Sequence, residues 1–316
     1  MRTAKQHSVP ASKKEAMFFH PENGKIRCVL CPHYCLIEKG HVGFCGVRQC
    51  SESEGKLKLF TLNYGEITSV SLDPIIKKPL YHFHPEKNIL SIGTFGCNFK
   101  CSFCQNYSIS QYRPESEYVS AEEMARTSLR NENSIGLAFT YNEPSIWYEY
   151  VYDVSREIKK RNSEHKIVLV TNGYITEEPL KLLLPFIDAM NVDLKGDEEF
   201  YKSICLGKMD PVMDTIRIAD KEGCHVEVTT LLIPGENDSH ETLDRLGDFL
   251  SSVNKDIVLH VSRYFPRYKM NRPITNIEDM KKAYQQLKKK LNNVYVGNIS
   301  DEDRAYIMGK GFYPIS

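Results

Sequence analysis

The segment Gly96-Cys97-Asn98-Phe99-Lys100-Cys101-Ser102-Phe103-Cys104-Gln105-Asn106 places three thiols four and three residues apart. A structural zinc site wants four ligands, usually as two separated pairs. Three close thiolates instead suit three corners of an iron–sulfur cubane, whose fourth iron is left without a protein ligand. Such an iron can bind another molecule through an amine and a carboxylate. A three-cysteine zinc site completed by a distant histidine and a chance clustering are the alternatives.

Four more thiols come earlier, in Cys28-Val29-Leu30-Cys31-Pro32-His33-Tyr34-Cys35 and at Cys45, so that seven of the ten cysteines fall into two clusters. Four thiolates could hold zinc in a segment too small to fold on its own core. They could equally hold an auxiliary iron–sulfur cluster, or remain plain reduced cysteines. His33 and Cys50 are spare candidates. Cys205 and Cys224 lie in helical or pre-strand positions and read as small core residues.

The polar residues that could attend a ligand follow short apolar runs. In Thr140-Tyr141-Asn142-Glu143-Pro144, Asn142 and Glu143 stand at a strand end, where a carboxylate can accept hydrogen bonds from an ammonium. A turn with a helix cap is the bland alternative. Thr171 and Asn172 occupy the same place in Val170-Thr171-Asn172-Gly173-Tyr174. In Asn191-Val192-Asp193-Leu194-Lys195-Gly196, strand alternation puts Asp193 and Lys195 on one face. There they suit the hydroxyls and carboxylate of a nucleoside amino acid, or form an ordinary salt bridge. Arg263, in His260-Val261-Ser262-Arg263-Tyr264-Phe265-Pro266, is read as facing the pocket. No residue is singled out as catalytic.

These runs need a scaffold. From about residue 89, β-rich apolar stretches alternate with helix-length amphipathic ones. The strands expected are Ile89–Gly93, Ile135–Thr140, Lys166–Thr171, Ala189–Leu194, Val226–Ile233 and Ile257–Ser262, with Val294–Ile299 as a short extension. Helix starts are expected at the capping boxes Ser120/Glu123 and Asp238/Glu241 and at Pro144, and Gly223 reads as a helix end. Strands alternating with helices imply a parallel sheet with right-handed crossovers. Six repeats are fewer than the eight of a complete barrel, so an α/β partial (β/α)6 barrel is the expected closure. Residues 1–20 read as a flexible tail, 21–84 as a cysteine-rich segment, 85–300 as the barrel and 301–316 as a C-terminal tail.

CxxxCxxC with an aromatic residue, Phe103, just before the last cysteine resembles the radical S-adenosylmethionine (SAM) superfamily. The resemblance implies a [4Fe–4S] cluster on Cys97, Cys101 and Cys104 that cleaves SAM reductively. The resulting 5′-deoxyadenosyl radical would abstract hydrogen from a protein or small-molecule substrate. It implies SAM contacts from Asn142, Glu143, Thr171, Asn172, Asp193, Lys195 and Arg263, although only Glu143 survives of the glycine-rich motif that binds the methionine amine. The ThrAsnGly and AspLeuLys elements look like those of pyruvate formate-lyase activating enzymes, with Val170 where an acidic residue normally precedes the threonine. Asp73-Pro74-Ile75-Ile76-Lys77-Lys78-Pro79-Leu80-Tyr81-His82-Phe83, taken with Gly96-Cys97-Asn98-Phe99, Phe103-Cys104-Gln105-Asn106, Thr140-Tyr141-Asn142-Glu143-Pro144 and Ser262-Arg263-Tyr264-Phe265-Pro266, looks like the AmmeMemoRadiSam-system radical enzymes. That resemblance implies AMMECR-type and Memo-type partner proteins and a one-electron donor such as flavodoxin or ferredoxin. The alternatives are a glycyl-radical-enzyme activase and a non-catalytic iron–sulfur or zinc scaffold.

Composition narrows the rest. Lys plus Arg equals Asp plus Glu at 41 each, so no global field draws a polyanion. The run Lys288-Lys289-Lys290, flanked by Leu287 and Leu291, reads as a solvated helix face. No nucleic-acid or membrane partner is expected. The polar stretch Met1 to Ala16 has no apolar centre of a secretion signal, so the chain is expected in the cytoplasm, where clustered cysteines mean metal or redox chemistry.

Overall fold

A computed structural model describes residues 13–309. Its centre is an eight-stranded sheet whose strands follow one another in chain order. They are β1 (Ser69–Pro74), β2 (Asn88–Gly93), β3 (Gly136–Phe139), β4 (Lys166–Thr171), β5 (Ala189–Asp193), β6 (His225–Leu232), β7 (Val258–Arg263) and β8 (Asn293–Gly297). All neighbours from β2 to β8 are parallel, and β1 pairs antiparallel with β2. The terminal strands do not pair with each other, so the sheet is an open, partial barrel. The fold class is α/β with a mostly parallel sheet, as the alternating pattern requires.

The crossover helices are α1 (Ala121–Arg130), α2 (Tyr148–Arg161), α3 (Glu177–Leu183), α4 (Asp210–Lys221), α5 (His240–Val253) and α6 (Ile277–Lys288), and α7 (Asp301–Met308) follows the last strand. Ser120 caps α1 by accepting from Glu123 N–H, and Gly223 follows the end of α4 with φ +82°. The cap of α5 is Ser239, accepting from Thr242 N–H, one residue beyond the expected Asp238. Asp238 instead accepts from Gly235 N–H and shapes the preceding turn. No helix among the described residues is long and apolar enough to cross a membrane.

Three boundaries differ from the sequence expectation. β1 belongs to the sheet although it lies within 21–84. Its alternation runs in reverse, with Val70 and Leu72 exposed and Ser71 and Asp73 turned inward, which hides it from an apolar-inside reading. The stretch 301–316 carries α7, capped by Ser300 and seated on the core through Ile307 and Met308; residues 310–316 lie outside the described residues. The stretch 1–20 contains strands Lys14–Glu15 and part of Phe19–Glu22, while residues 1–12 lie outside the described residues.

The cysteine-rich segment is built from small antiparallel sheets rather than loops. Phe19–Glu22 pairs with Lys25–Cys28 across Asn23-Gly24, and Arg48–Ser53 pairs with Lys56–Thr61 across Glu54-Gly55. Both central residues of each turn have positive φ, the geometry that matches strand twist in two-residue hairpins.

Between β1 and β2 the chain enters the barrel. Ile75 and Leu80 are fully buried in a cluster with Ile89, Ala138, Val168 and Ala189, separate from the main core outside the sheet. Asn191 Nδ2 donates to Pro79 O at 2.8 Å. Glu227 accepts from the backbone N–H groups of Tyr81 (2.9 Å) and His82 (2.7 Å). Residues 75–87 therefore plug the lumen and leave only the carboxyl-end half of the barrel open.

Candidate cofactor site at the carboxyl ends of the strands

Cys97, Cys101 and Cys104 stand on the loop leaving β2. They line one cavity of about 380 Å³ with residues from the ends of five further strands. Tyr141, Asn142 and Glu143 come from the end of β3, Thr171 and Asn172 from β4, and Asp193 and Lys195 from β5. Thr229 and Leu231 come from β6 and Ser262 from β7. Parallel strands bring these ends together because their crossovers all return the chain in one direction.

The loop is fixed by side chains that saturate its backbone. Asn142 donates to Gly96 O (2.9 Å) and accepts from Thr94 N–H (3.1 Å). Asn98, fully buried, donates to Tyr174 O (2.7 Å) and accepts from Asn172 Nδ2 (2.8 Å). His33 Nε2 lies 2.7 Å from Asn98 O. Lys100 N–H donates to Cys205 O (2.9 Å), at the end of a short π-turn over Tyr201–Cys205. The turn closes through Leu206 in the left-handed region and Gly207, where a Cβ would stand 2.3 Å from Phe99 Cε1. Phe103 packs on Phe200 at 5.8 Å between centroids.

The thiols sit among donors. Phe99 N–H lies 3.3 Å from Cys97 Sγ, Asn172 Nδ2 3.7 Å from the same sulfur, and Ser110 Oγ 3.2 Å from Cys104 Sγ. Burial pushes the Cys97 thiol well above its usual range, and the nearby Glu143 carboxylate adds to the shift. Cys101 is raised first by its contact with the Cys205 thiol and then by burial. Among the described residues, no three His, Cys, Asp or Glu side chains could close on one metal ion. A cubane asks for a different arrangement, one thiolate on each of three irons. The donor set fits it.

Glu143 is a buried carboxylate with three hydrogen bonds. It accepts from Thr171 Oγ1 (2.6 Å), Ser145 N–H (2.8 Å) and Asn172 N–H (2.8 Å). Burial raises its pKa, and the bonds from Asn172 and Thr171 pull against the rise. Asp193 and Lys195 form an ion pair at 2.6 Å on the cavity wall, on the shared face that alternation implied. Burial opposes the Lys195 charge, but the Asp193 carboxylate more than offsets it and holds the ammonium protonated.

The cavity thus gathers Asn142, Glu143, Thr171, Asn172, Asp193 and Lys195. Arg263 is the exception. It faces away from the cavity, donates from Nε to Thr275 O (2.7 Å) and lies against Phe265. Counting alternation along β7 from the buried His260 would have chosen Ser262. Lys77 and Lys78 were also missed, because they reach the cavity from the plug rather than from a strand end. Lys78 is held by Asp73 at 2.7 Å, and Tyr141 O–H donates to the same carboxylate at 2.8 Å.

The Radical SAM superfamily model matches residues 91–247, which span the cysteine loop and the ends of β3 to β6 that face it. Residues 91–247 of this chain are a radical SAM superfamily domain. Enzymes of this superfamily use a [4Fe–4S] cluster and SAM. The radical SAM chain is 39% identical over 293 residues to an uncharacterized protein of Methanocaldococcus jannaschii, covering 90% of this chain and 85% of the relative. A second protein of that organism, provisionally named a glycyl-radical enzyme activating enzyme, is 29% identical over 55% of this chain and 67% of its own length. The fold is shared with Streptococcus suis SuiB bound to S-adenosylmethionine, at TM-score 0.54 and 14% identity, over 72% of this chain and 55% of that one. It is also shared with a radical SAM methyltransferase from Sphaerobacter thermophilus, at TM-score 0.50 and 18% identity, over 68% and 67% of the two chains.

Proposed function

We propose that this protein is a radical SAM enzyme whose cluster is carried by Cys97, Cys101 and Cys104, acting by hydrogen abstraction on a protein or small-molecule substrate. One observation carries the reading: three thiols and the polar ends of five strands line a single cavity. When bound, the reduced cluster supplies the electron that cleaves SAM to methionine and a 5′-deoxyadenosyl radical.

The protein's part is binding, orientation and exclusion of water. Phe99 N–H and the Asn172 amide favour a charged sulfur at Cys97. Three hydrogen bonds hold Glu143 in one orientation, and a carboxylate retains a further lone pair for the cofactor's ammonium. Asp193 and Lys195 present an acceptor and a cation to its hydroxyls and carboxylate. Asn142 is a positioning residue that acts through the Gly96 loop, and Thr171 and Asn172 orient Glu143.

The motifs 73–83, 140–144 and 262–266 support a place in the AmmeMemoRadiSam branch, with AMMECR-type and Memo-type partners. A flavodoxin or ferredoxin in the cytoplasm suits the electron requirement. The name of the 29% identical relative favours a second reading, activation of a glycyl-radical enzyme.

The test is anaerobic. The reconstituted, reduced protein is given SAM and 5′-deoxyadenosine is measured; formation that is lost in Cys101→Ala, with the circular dichroism spectrum retained, supports the reading. Undiminished cleavage in Cys101→Ala sinks the cluster assignment. The activase reading further requires a glycyl-radical resonance on a partner protein.

A further inference from the structure

The second group of cysteines also converges. Cys28, Cys31, Cys35 and Cys45 line one small cavity with Leu30, Ile37, Gly43 and Ile146, although Cys45 is separated from Cys35 by most of a loop. Three of them are nearly inaccessible and Cys35 is half-buried, and all four are free thiols. Cys50, fully buried nearby, is not part of the cavity wall, and His33 is engaged with Asn98 O.

Each of the four sulfurs faces a donor. His33 N–H points at Cys31, Val47 N–H at Cys45 and Phe44 N–H at Cys35 (3.4 Å). Arg48 Nη1 lies 3.8 Å from Cys28 Sγ. Among the described residues, none of the four thiols donates a hydrogen bond. A neutral thiol needs no such ring of donors, whereas a thiolate does. The Arg48 guanidinium lines the same cavity, is 1% exposed, and its Nε has no partner. A buried cation with a spare donor sits where negative charge on sulfur would satisfy it. At Gly43 an added Cβ would stand 3.1 Å from Ile37 Cδ1 and 3.6 Å from Cys35 Sγ, so the loop passes the cavity without filling it.

Four thiolates can hold either of two metal species. Zinc draws its sulfurs to about 2.3 Å from one centre. Among the described residues no three such ligands could hold a single ion, although these four surround one cavity. A cubane puts each thiolate on its own iron and spreads the sulfurs apart. We infer that Cys28, Cys31, Cys35 and Cys45 bind a second, fully protein-ligated [4Fe–4S] cluster, separate from the one proposed at Cys97, Cys101 and Cys104. With no open iron, this cluster does not bind SAM. It abuts the first loop directly: Gly96 lies so close to Val47 Cγ1 and Cys45 O that a Cβ would stand 2.6 Å and 3.0 Å from them.

The test counts iron and sulfide after anaerobic reconstitution. The wild-type chain should hold about eight of each, and Cys97→Ala/Cys101→Ala/Cys104→Ala about four of each, with a reduced-cluster paramagnetic signal that SAM does not perturb. Cys31→Ala/Cys45→Ala, checked for folding by circular dichroism, should fall to about four, with its remaining signal still perturbed by SAM. Should that double variant fail to fold, the triple variant decides alone. An iron-free triple variant, or one zinc per chain without sulfide at this site, overturns the inference. Loss of SAM cleavage in Cys101→Ala tests only the other cluster, so the two fail separately.

Discussion

Glu143 shows how much one side chain can be asked to do. Its two oxygens receive donors from β4 and from the turn that opens α2. Glu143→Gln keeps the shape but turns an NH2 group towards a backbone N–H. A buried donor left facing a donor costs on the order of 1–3 kcal/mol, so urea denaturation should show a loss of that size, together with weaker SAM binding. Unchanged stability would mean that the three donors find water instead. The sequence announced this residue through its place after an apolar run, and Asp193 and Lys195 through their shared face. It did not announce that Asn142 would be spent on the loop, since which of two adjacent polar residues turns inward depends on the left-handed Tyr141 (φ +70°). Arg263 misled for the opposite reason: a charged residue at a strand end attracts attention, while the strand's pleat points the less conspicuous Ser262 at the cavity.

At the scale of elements, the apolar runs from residue 89 onward marked each parallel strand to within two residues, because strands covered by helices on one face and a packed lumen on the other are apolar throughout. The plug was not legible. Its residues gain meaning only from Glu227, a polar side chain in a buried strand. Burial raises the Glu227 pKa, but hydrogen bonds from His225 (3.0 Å), His260 (2.6 Å) and the backbone of Tyr81 and His82 outweigh it and hold it down at about 2. A carboxylate depressed on folding stabilises above its ordinary value of 4.5, and the contribution is lost as pH falls from there to about 2. The depression corresponds to roughly 3 kcal/mol. Urea midpoints measured between pH 7 and pH 2 should fall more steeply for the wild type than for Glu227→Gln. Equal slopes would remove Glu227 from the account. The π-turn makes a second element-scale prediction. Gly207→Ala forces Phe99 away, so iron retained per chain after reconstitution should drop; full retention would show that Phe99 yields without moving the cysteine loop.

Across the whole molecule, the small N-terminal sheets share no strand with the barrel, so a backbone bond from Thr176 N–H to Leu30 O (3.0 Å) and side-chain contacts join them. The principal one is an ion pair between Arg48, at the start of a hairpin strand, and Glu149, in the first turn of α2; each side chain is 1% exposed. The pair closes over the entering chain, since Glu149 also accepts from Met17 N–H at 2.7 Å and Arg48 donates to Met17 O at 3.2 Å. Removing one partner leaves an uncompensated buried charge, which costs about 3–5 kcal/mol, whereas replacing both by apolar residues of similar volume is often neutral. Arg48→Met should therefore destabilise strongly, and Arg48→Met/Glu149→Leu should recover most of the loss in thermal and urea unfolding. A double variant as unstable as the single one would show that the guanidinium is needed for something besides Glu149, and its contact with Cys28 is the group to test next. The same variants report on the barrel. Val47 and the Cys45 carbonyl press on Gly96, so a module loosened at Arg48 should free the loop that carries Cys97, and SAM cleavage should fall in the single variant and return in the double.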